Sequence, residues 1–190
     1  MKLFINKVNE NWIVDRLVKE WTIHNFKPKK FIIGKKDLIW LIAPWTWKKI
    51  PKFYLENNKV LCTIHHIDDS KFKGNEKEEF FQRDKIVNHY HVISDKTYEQ
   101  LAKITSKPIS LIPWWVNQNI WFDIKNTETL YKKYDLPTNK YLVGSFQRDT
   151  EGSDLKSPKL SKGPDKLIEC IKQMQEEKEI FVVLAGKRRQ

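Results

Sequence analysis

The sequence predicts an α/β protein built on a doubly wound parallel sheet, followed by the start of a second domain of the same class. Short, continuous apolar runs, typical of strands buried on both faces, recur along the chain. Several are followed by apolar residues at helical spacing. The strand-then-helix order restarts after residue 139. Because right-handed crossovers join such units into parallel sheets, we expect ligands at the carboxyl ends of the strands.

The predicted first domain covers residues 1–138 and ends in a linker helix. The first strand is Leu3–Ile5, and a helix with an apolar face follows from residue 12 to 21. Further strands are predicted at 30–34, 37–43, 59–65, 91–94 and 108–113. Ser94 or Asp95 is the expected N-cap of a helix after the fourth of these. A charged loop and helix are expected within 68–83, and a polar helix at 127–134.

The predicted second domain covers residues 139–190. It contains a strand at 141–146, a polar loop of about fifteen residues, a helix starting at Pro164 and a strand at 180–184. Two parallel strands leave sheet edges and one helix face uncovered. We therefore expect this domain to be truncated at Gln190.

Composition narrows the class of partner. The 190 residues carry a net charge of +11, which favours anionic partners such as nucleotide diphosphates, nucleic acid or acidic lipid headgroups. With only Cys62 and Cys170, neither a disulfide framework nor a zinc cluster is supported. The first residues lack a signal-peptide pattern, and no apolar run is long enough to span a membrane. These features predict a soluble, cytoplasmic protein.

Two cations flank the polar loop of the second domain. Arg148 follows a predicted strand end, and Lys162 precedes a predicted helix N-terminus, where free backbone N–H groups favour anions. Such an arrangement suits a diphosphate, whose charge grows when a glycosidic bond to it breaks. From spacing alone, ordinary loop charges are the favoured explanation of the two residues.

This segment, with its strand, Arg148, loop, Lys162-Gly163 and helix, resembles the signature of retaining GT-B glycosyltransferases, the group 1 or family 4-like enzymes. The resemblance implies two Rossmann-like domains, an N-terminal one on the acceptor side and a C-terminal one that binds donor. It implies that Arg148 and Lys162 bind the diphosphate of a nucleoside-diphosphate sugar. The sugar would pass with retention to a glycan or lipid-linked acceptor, without a metal or other cofactor. Family glutamates later in the second domain are absent, so these 190 residues are expected to be inactive alone.

The segment Val60–His65 is similar to the family strand that ends in Thr-x-His, which makes His65 the expected catalytic residue of the cleft. An imidazole suits the role because it can accept a hydrogen bond or proton from a hydroxyl near neutral pH. His66 is the adjacent competitor, and a merely structural histidine at a strand end is the alternative. His89 and His91 share a strand face with no carboxylate or thiol partner, so we expect them to pack and hydrogen-bond.

Aromatic residues stand where a cleft is expected. Ile112–Asn117 occupies the place of the family's Ile-Pro-Asn-Gly-Val-Asp element, with two Trp in place of Asn and Gly. Trp45, Trp115 and Asn117 are the predicted cleft or acceptor residues, and core packing is the alternative for the Trp residues. Trp45 and Trp47, with Lys48 beside them, also fit peripheral contact with the inner face of a membrane.

The competing functional hypothesis is a non-catalytic basic module that binds polysaccharide or nucleic acid through charge and aromatic stacking. No RNA-binding motif is present, so nucleic acid is not an expected partner. The first strand is followed by Lys7-Val8-Asn9-Glu10-Asn11, without a glycine-rich phosphate loop. A nicotinamide-binding or P-loop function is therefore disfavoured.

Overall fold

A computed structural model describes residues 3–6, 8–9, 13–25, 37–147, 150, 156–175 and 179–185. The chain forms two compact units, Met1–Asn117 and Gln118–Gln190, which we call the first and second units. The predicted domain boundary near residue 138 lies inside the second unit, between its first helix and its first strand, and stays a prediction. The strand predicted at 30–34 lies outside the described residues.

The first unit is built on a five-stranded, all-parallel sheet. Its strands are β1 (Leu3–Ile5), β2 (Leu38–Leu41), β3 (Lys59–Ile64), β4 (His89–Val92) and β5 (Ile109–Leu111). These described strands lie side by side in the order of the sequence, so no reversal of strand order occurs among them. All five therefore end at one edge of the sheet, which we call the carboxyl edge.

Helices cover both faces of this sheet, which confirms the predicted α/β class. The helices are α1 (Ile13–Asn25), α2 (Lys52–Asn57), α3 (Gly74–Asp84) and α4 (Asp95–Ala102). Alternate residues of β2 point to opposite faces. Ile39 and Leu41 belong to one core cluster, with residues of α2, α3 and α4, whereas Trp40 packs with residues of α1 in the other. The apolar runs in the sequence reflect this burial on both faces.

Local signals set most helix boundaries. The predicted cap at Ser94 is confirmed, because its Oγ accepts a hydrogen bond from the backbone N–H of Thr97 at 3.4 Å. The sequence did not predict the 3-10 helix Pro44–Lys49 or α2, which lie between β2 and β3. Both are only six residues long and start at or directly after a proline, so neither offers the repeated apolar spacing that identifies a helix.

The second unit contains a strand–helix–strand arrangement. Its elements are α5 (Glu128–Lys133), β6 (Tyr141–Ser145), a 3-10 helix (Leu160–Lys162), α6 (Pro164–Gln175) and β7 (Ile180–Leu184). β6 and β7 pair in parallel from Tyr141 opposite Ile180 to Ser145 opposite Leu184. The predicted strands and the helix start at Pro164 are confirmed. Within the described ranges, no helix is both long and apolar enough to cross a membrane.

Candidate functional site

The carboxyl edge of the first unit brings His65 together with two tryptophans. β2 leads into the 3-10 helix that carries Trp45, β3 ends one residue before His65, and β5 is followed by Trp114. The His65 ring centroid lies 6.1 Å from that of Trp45 and 5.8 Å from that of Trp114. His66 is exposed, so of these two adjacent histidines it is the half-buried His65 that packs beside Trp45 and Trp114.

The hydrogen bonding of His65 fixes its tautomer. Its Nε2 lies 2.8 Å from the carbonyl oxygen of Ile42, and because a carbonyl only accepts, Nε2 carries the proton. Burial lowers the pKa of His65, against the opposing effect of the hydrogen bond to Ile42, so the ring is neutral at pH 7. Nδ1 makes no hydrogen bond to a described residue. The site therefore presents one open lone pair that can accept a hydrogen bond from a hydroxyl.

A chain of hydrogen bonds, which we call the Thr63 chain, runs across β2, β3 and β4. Trp40 Nε1 donates to Thr63 Oγ1 at 2.9 Å, and Thr63 Oγ1 lies 3.0 Å from His91 Nδ1. His91 Nε2 lies 2.7 Å from the carbonyl oxygen of Ile112. That carbonyl must accept, so His91 Nδ1 is unprotonated and accepts from the Thr63 hydroxyl. Every polar atom of His91 is used, which makes it a structural residue.

The Thr63 chain also places Trp114 beside His65. The rings of His91 and Trp114 meet edge to face with centroids 5.2 Å apart, and Trp40 lies 6.3 Å from Trp114. An apolar cavity of about 480 Å³ opens on the same sheet face and has these three side chains in its wall. On this face, His89 Nε2 forms a hydrogen bond with Ser110 Oγ, 2.8 Å away. The expectation that His89 and His91 hydrogen-bond within the fold is confirmed.

Asn6, which directly follows β1, holds the segment that carries Trp45. Its Nδ2 donates to the Ala43 carbonyl at 3.0 Å and to the Thr46 hydroxyl, while its Oδ1 accepts from the Ala43 N–H at 3.2 Å. Asn6, Ala43 and Thr46 are buried, whereas Trp45 is 46% exposed. Asn6 was not among the residues predicted for the site. Its only signal was an amide side chain at the carboxyl end of an apolar strand.

The predicted cleft residues Trp115 and Asn117 bind a buried carboxylate on α1. Trp115 Nε1 donates to Glu20 Oε2 and Asn117 Nδ2 donates to Glu20 Oε1, each at 2.8 Å. Arg16 lies one helical turn away, with Nε 3.4 Å from Glu20 Oε1. The Asn117 hydrogen bond is the main cause that lowers the pKa of Glu20, although burial opposes it. Trp115 and Asn117 thus anchor the end of the first unit to α1, and their role toward an acceptor stays a prediction.

Trp47 and Trp45 have different environments. The ring of Trp47 packs against the core cluster beneath α2, α3 and α4, and only Trp45 is a largely exposed ring. Any membrane contact of this segment would therefore depend mainly on Trp45, and it stays a prediction. No group of three or more His, Cys, Asp or Glu side chains able to hold a metal occurs in the described part of the chain.

The loop after β1 already has an anionic partner. Asp15 Oδ1, in the first turn of α1, accepts hydrogen bonds from the backbone N–H groups of Val8 and Asn9 at 3.3 and 3.1 Å. In glycine-rich nucleotide sites, such N–H groups instead bind the ligand's phosphate. In this chain the carboxylate of Asp15, and not a phosphate, accepts the hydrogen bonds of these two N–H groups.

In the second unit, Lys162 is the last residue of the 3-10 helix that precedes α6. Gly163 follows it with φ +66°, a left-handed conformation that turns the chain into Pro164 at the start of α6. The Lys162 side chain is exposed. Its predicted partner Arg148 lies outside the described residues. The placement of Lys162 beside a helix N-terminus agrees with the sequence pattern, and the pairing of the two cations stays a prediction.

Acidification is expected to destabilise the first unit before its carboxylates titrate. Burial lowers the pKa of both His65 and His91 below the ordinary 6.5, so the folded chain binds fewer protons than the unfolded chain below that pH. The free energy of unfolding should then fall as pH drops from about 7 to 5. Chemical denaturation at several pH values between about 5 and 7 measures the free energy of unfolding, and NMR titration of the imidazole resonances, with His66→Asn to assign that exposed ring, measures the pKa values. A His91 resonance titrating at 6.5 or higher would contradict the expected desolvation.

Comparisons with known proteins identify no family for the chain. No protein-family model matches it, and no curated protein matches it. A solved structure described as "Glycosylation Associate Protein (Gap123) complex from Streptococcus agalactiae" aligns with 92% of this chain at 9% identity and a TM-score of 0.39. The alignment spans 30% of that protein's chain. A likeness this weak carries no conclusion about fold or function, so the functional conclusion rests on the site.

Proposed function

We propose that this chain is part of a retaining glycosyltransferase that moves a sugar from a nucleoside diphosphate to a glycan or lipid-linked acceptor in the cytoplasm. The observation that carries the proposal is His65. It is a neutral, half-buried imidazole with an open Nδ1 at the carboxyl edge of a parallel sheet, between Trp45 and Trp114. Parallel α/β sheets bind their ligands at this edge.

His65 and the two cations Lys162 and Arg148 each have a task in the proposed reaction. Nδ1 of His65 accepts a hydrogen bond from the acceptor hydroxyl and orients that oxygen for attack on the anomeric carbon, on the face from which the diphosphate leaves, and the hydroxyl proton passes to the departing diphosphate. The bond to the diphosphate breaks as the new glycosidic bond forms, and negative charge grows on the leaving group. In this proposal the positive charges of Lys162 and Arg148, with the N-terminus of α6, stabilise that developing charge more than they stabilise the bound donor.

Donor binding tests the proposal with the 190-residue chain itself. Calorimetric titration with UDP-glucose, GDP-mannose and the free diphosphates should show selective binding of one nucleotide. We expect Lys162→Ala to weaken that binding about tenfold or more, because it removes a charge-assisted contact to phosphate worth about 1.5–3 kcal/mol. Lys172→Ala is the matched control, since it removes the same charge from an exposed position in the last turn of α6.

Two results would contradict the proposal. One is an equal loss of affinity in the Lys162 and Lys172 variants, which would show a general charge effect. The other is binding of single-stranded RNA or polyanionic polysaccharide that falls steeply and linearly on a log–log salt plot while no sugar nucleotide binds. That second pattern would favour the non-catalytic basic module, for which the net charge of +11 is the supporting feature.

A further inference from the structure

Trp45 is exposed and yet is firmly held. Asn6 hydrogen-bonds to Ala43, two residues before Trp45, and to Thr46, the residue after it, and the Thr46 hydroxyl also donates to the Ala43 carbonyl at 2.9 Å. Two residues later, Trp47 packs into the core. The large apolar ring of Trp45 is thus kept at the surface by buried hydrogen bonds. Exposure of a large aromatic ring costs free energy, and a rigid aromatic loses little entropy when a ligand stacks on it.

The rings of Trp45 and His65 are placed for two-part recognition of one ligand. Their planes meet at 48°, with centroids 6.1 Å apart. A ligand ring lying flat on Trp45 is therefore inclined to the imidazole plane by the same angle, so it cannot stack flat on both rings. Because Nε2 of His65 donates to the Ile42 carbonyl, the ring nitrogen that can accept from a ligand is Nδ1, which makes no hydrogen bond to a described residue.

A pyranose ring matches both requirements. One of its faces is formed by C–H groups that pack on an indole ring, and its edge carries hydroxyl donors on successive carbons. We propose that Trp45 is the stacking platform for a pyranoside acceptor, one of whose ring hydroxyls donates to His65 Nδ1. This inference rests on the proposed function and narrows its acceptor to a carbohydrate ring. Trp45 is thereby a specificity-determining residue.

Acceptor binding is measured without donor. The 190-residue chain is titrated with methyl α- and β-glucopyranoside, methyl α-mannopyranoside and the disaccharides maltose and cellobiose, with saturation-transfer NMR as the readout. We expect a dissociation constant in the range of about 1–10 mM for the best of these, as for a small polar ligand. Trp45→Ala should weaken binding at least tenfold, whereas Trp45→Phe, which keeps a smaller ring, should weaken it less.

Two variants separate the parts of the site. His65→Ala should weaken the preferred pyranoside and also flatten the preference among sugars, because the directional hydroxyl contact is lost. Phe53→Ala is the control, since it removes another exposed aromatic ring, 55% exposed, from α2 of the same unit. Circular dichroism confirms that each variant is folded.

The outcomes distinguish this inference from the donor-site proposal. No pyranoside binding up to about 50 mM, or equal losses in the Trp45 and Phe53 variants, would overturn the inference even if a sugar nucleotide binds through Lys162. Uridine or adenosine binding that depends on Trp45, with no pyranoside binding, would overturn it as well and assign the platform to a base. Pyranoside binding that depends on Trp45 supports the inference, even where no sugar nucleotide binds.

Discussion

Replacing Thr63 with Val is expected to lower the free energy of unfolding of the first unit by about 2–4 kcal/mol. The substitution keeps the shape of the side chain and removes the one hydroxyl that links Trp40 to His91. Thr63 is completely buried, so the Trp40 N–H and the His91 Nδ1 would both lose their partner without gaining water. Each orphaned group costs about 1–3 kcal/mol, less the favourable burial of the new methyl group.

Chemical denaturation followed by circular dichroism measures this loss, and a double-mutant cycle with Trp40→Phe tests its cause. If the hydrogen bond is responsible, Thr63→Val should cost less in the Trp40→Phe background, because one donor has already been removed. Equal costs in both backgrounds would show that the loss comes from packing. The total tryptophan fluorescence, to which Trp114 contributes, should also change in Thr63→Val, because His91 hydrogen-bonds to the Ile112 carbonyl and packs on the Trp114 ring.

Replacing Glu20 with Ala should lower the free energy of unfolding by about 2–3 kcal/mol at pH 7. The carboxylate is buried, accepts hydrogen bonds from Trp115 and Asn117 and forms an ion pair with Arg16, and its removal breaks these three interactions. Glu99→Ala is the control, because Glu99 is exposed on α4 and makes no described ion pair. A loss no larger than that of the control would show that segment 115–117 is held by packing alone.

The loss in Glu20→Ala should depend on pH in a defined direction. The folded-state pKa of Glu20 is lowered from its ordinary 4.5, so the carboxylate stabilises the fold above that value. This stabilisation is lost as pH falls from about 4.5 through the folded-state pKa. The difference in free energy of unfolding between the wild type and Glu20→Ala should therefore shrink below pH 4.5. This range is more acidic than the range from about pH 7 to 5 in which protonation of His65 and His91 destabilises the fold.

Prediction from sequence worked where the signal was local. The apolar run 59–65 predicts a strand buried on both faces, and β3 matches it to within one residue. Ser94 capped its helix as expected, and Pro164 began α6. The 3-10 helix Pro44–Lys49 and α2 were not predicted, because two short helices beside prolines show no apolar periodicity.

The roles predicted for the site residues stay predictions, and the structure shows only where their side chains lie. The sequence placed His65 and Trp45 near strand ends, and the fold brings them together. It did not indicate that Trp115 and Asn117 bind Glu20, because those residues lie more than ninety positions from it. Residues so far apart in sequence come into contact only in the folded chain, and no local sequence pattern predicts such a contact.

The sequence alone determined the α/β class, the approximate strands and helices, the basic charge and the residue types available for chemistry, because those depend on period and composition. Tertiary structure decided which atoms of those residues remain available. Nε2 of His65 donates to the carbonyl of Ile42, which directly follows β2, so Nδ1 is the unprotonated nitrogen and makes no hydrogen bond to a described residue. His91 has no such nitrogen, because Thr63 and Ile112 use both of its nitrogens. Two similar histidines thus differ through hydrogen bonds that only neighbouring strands supply.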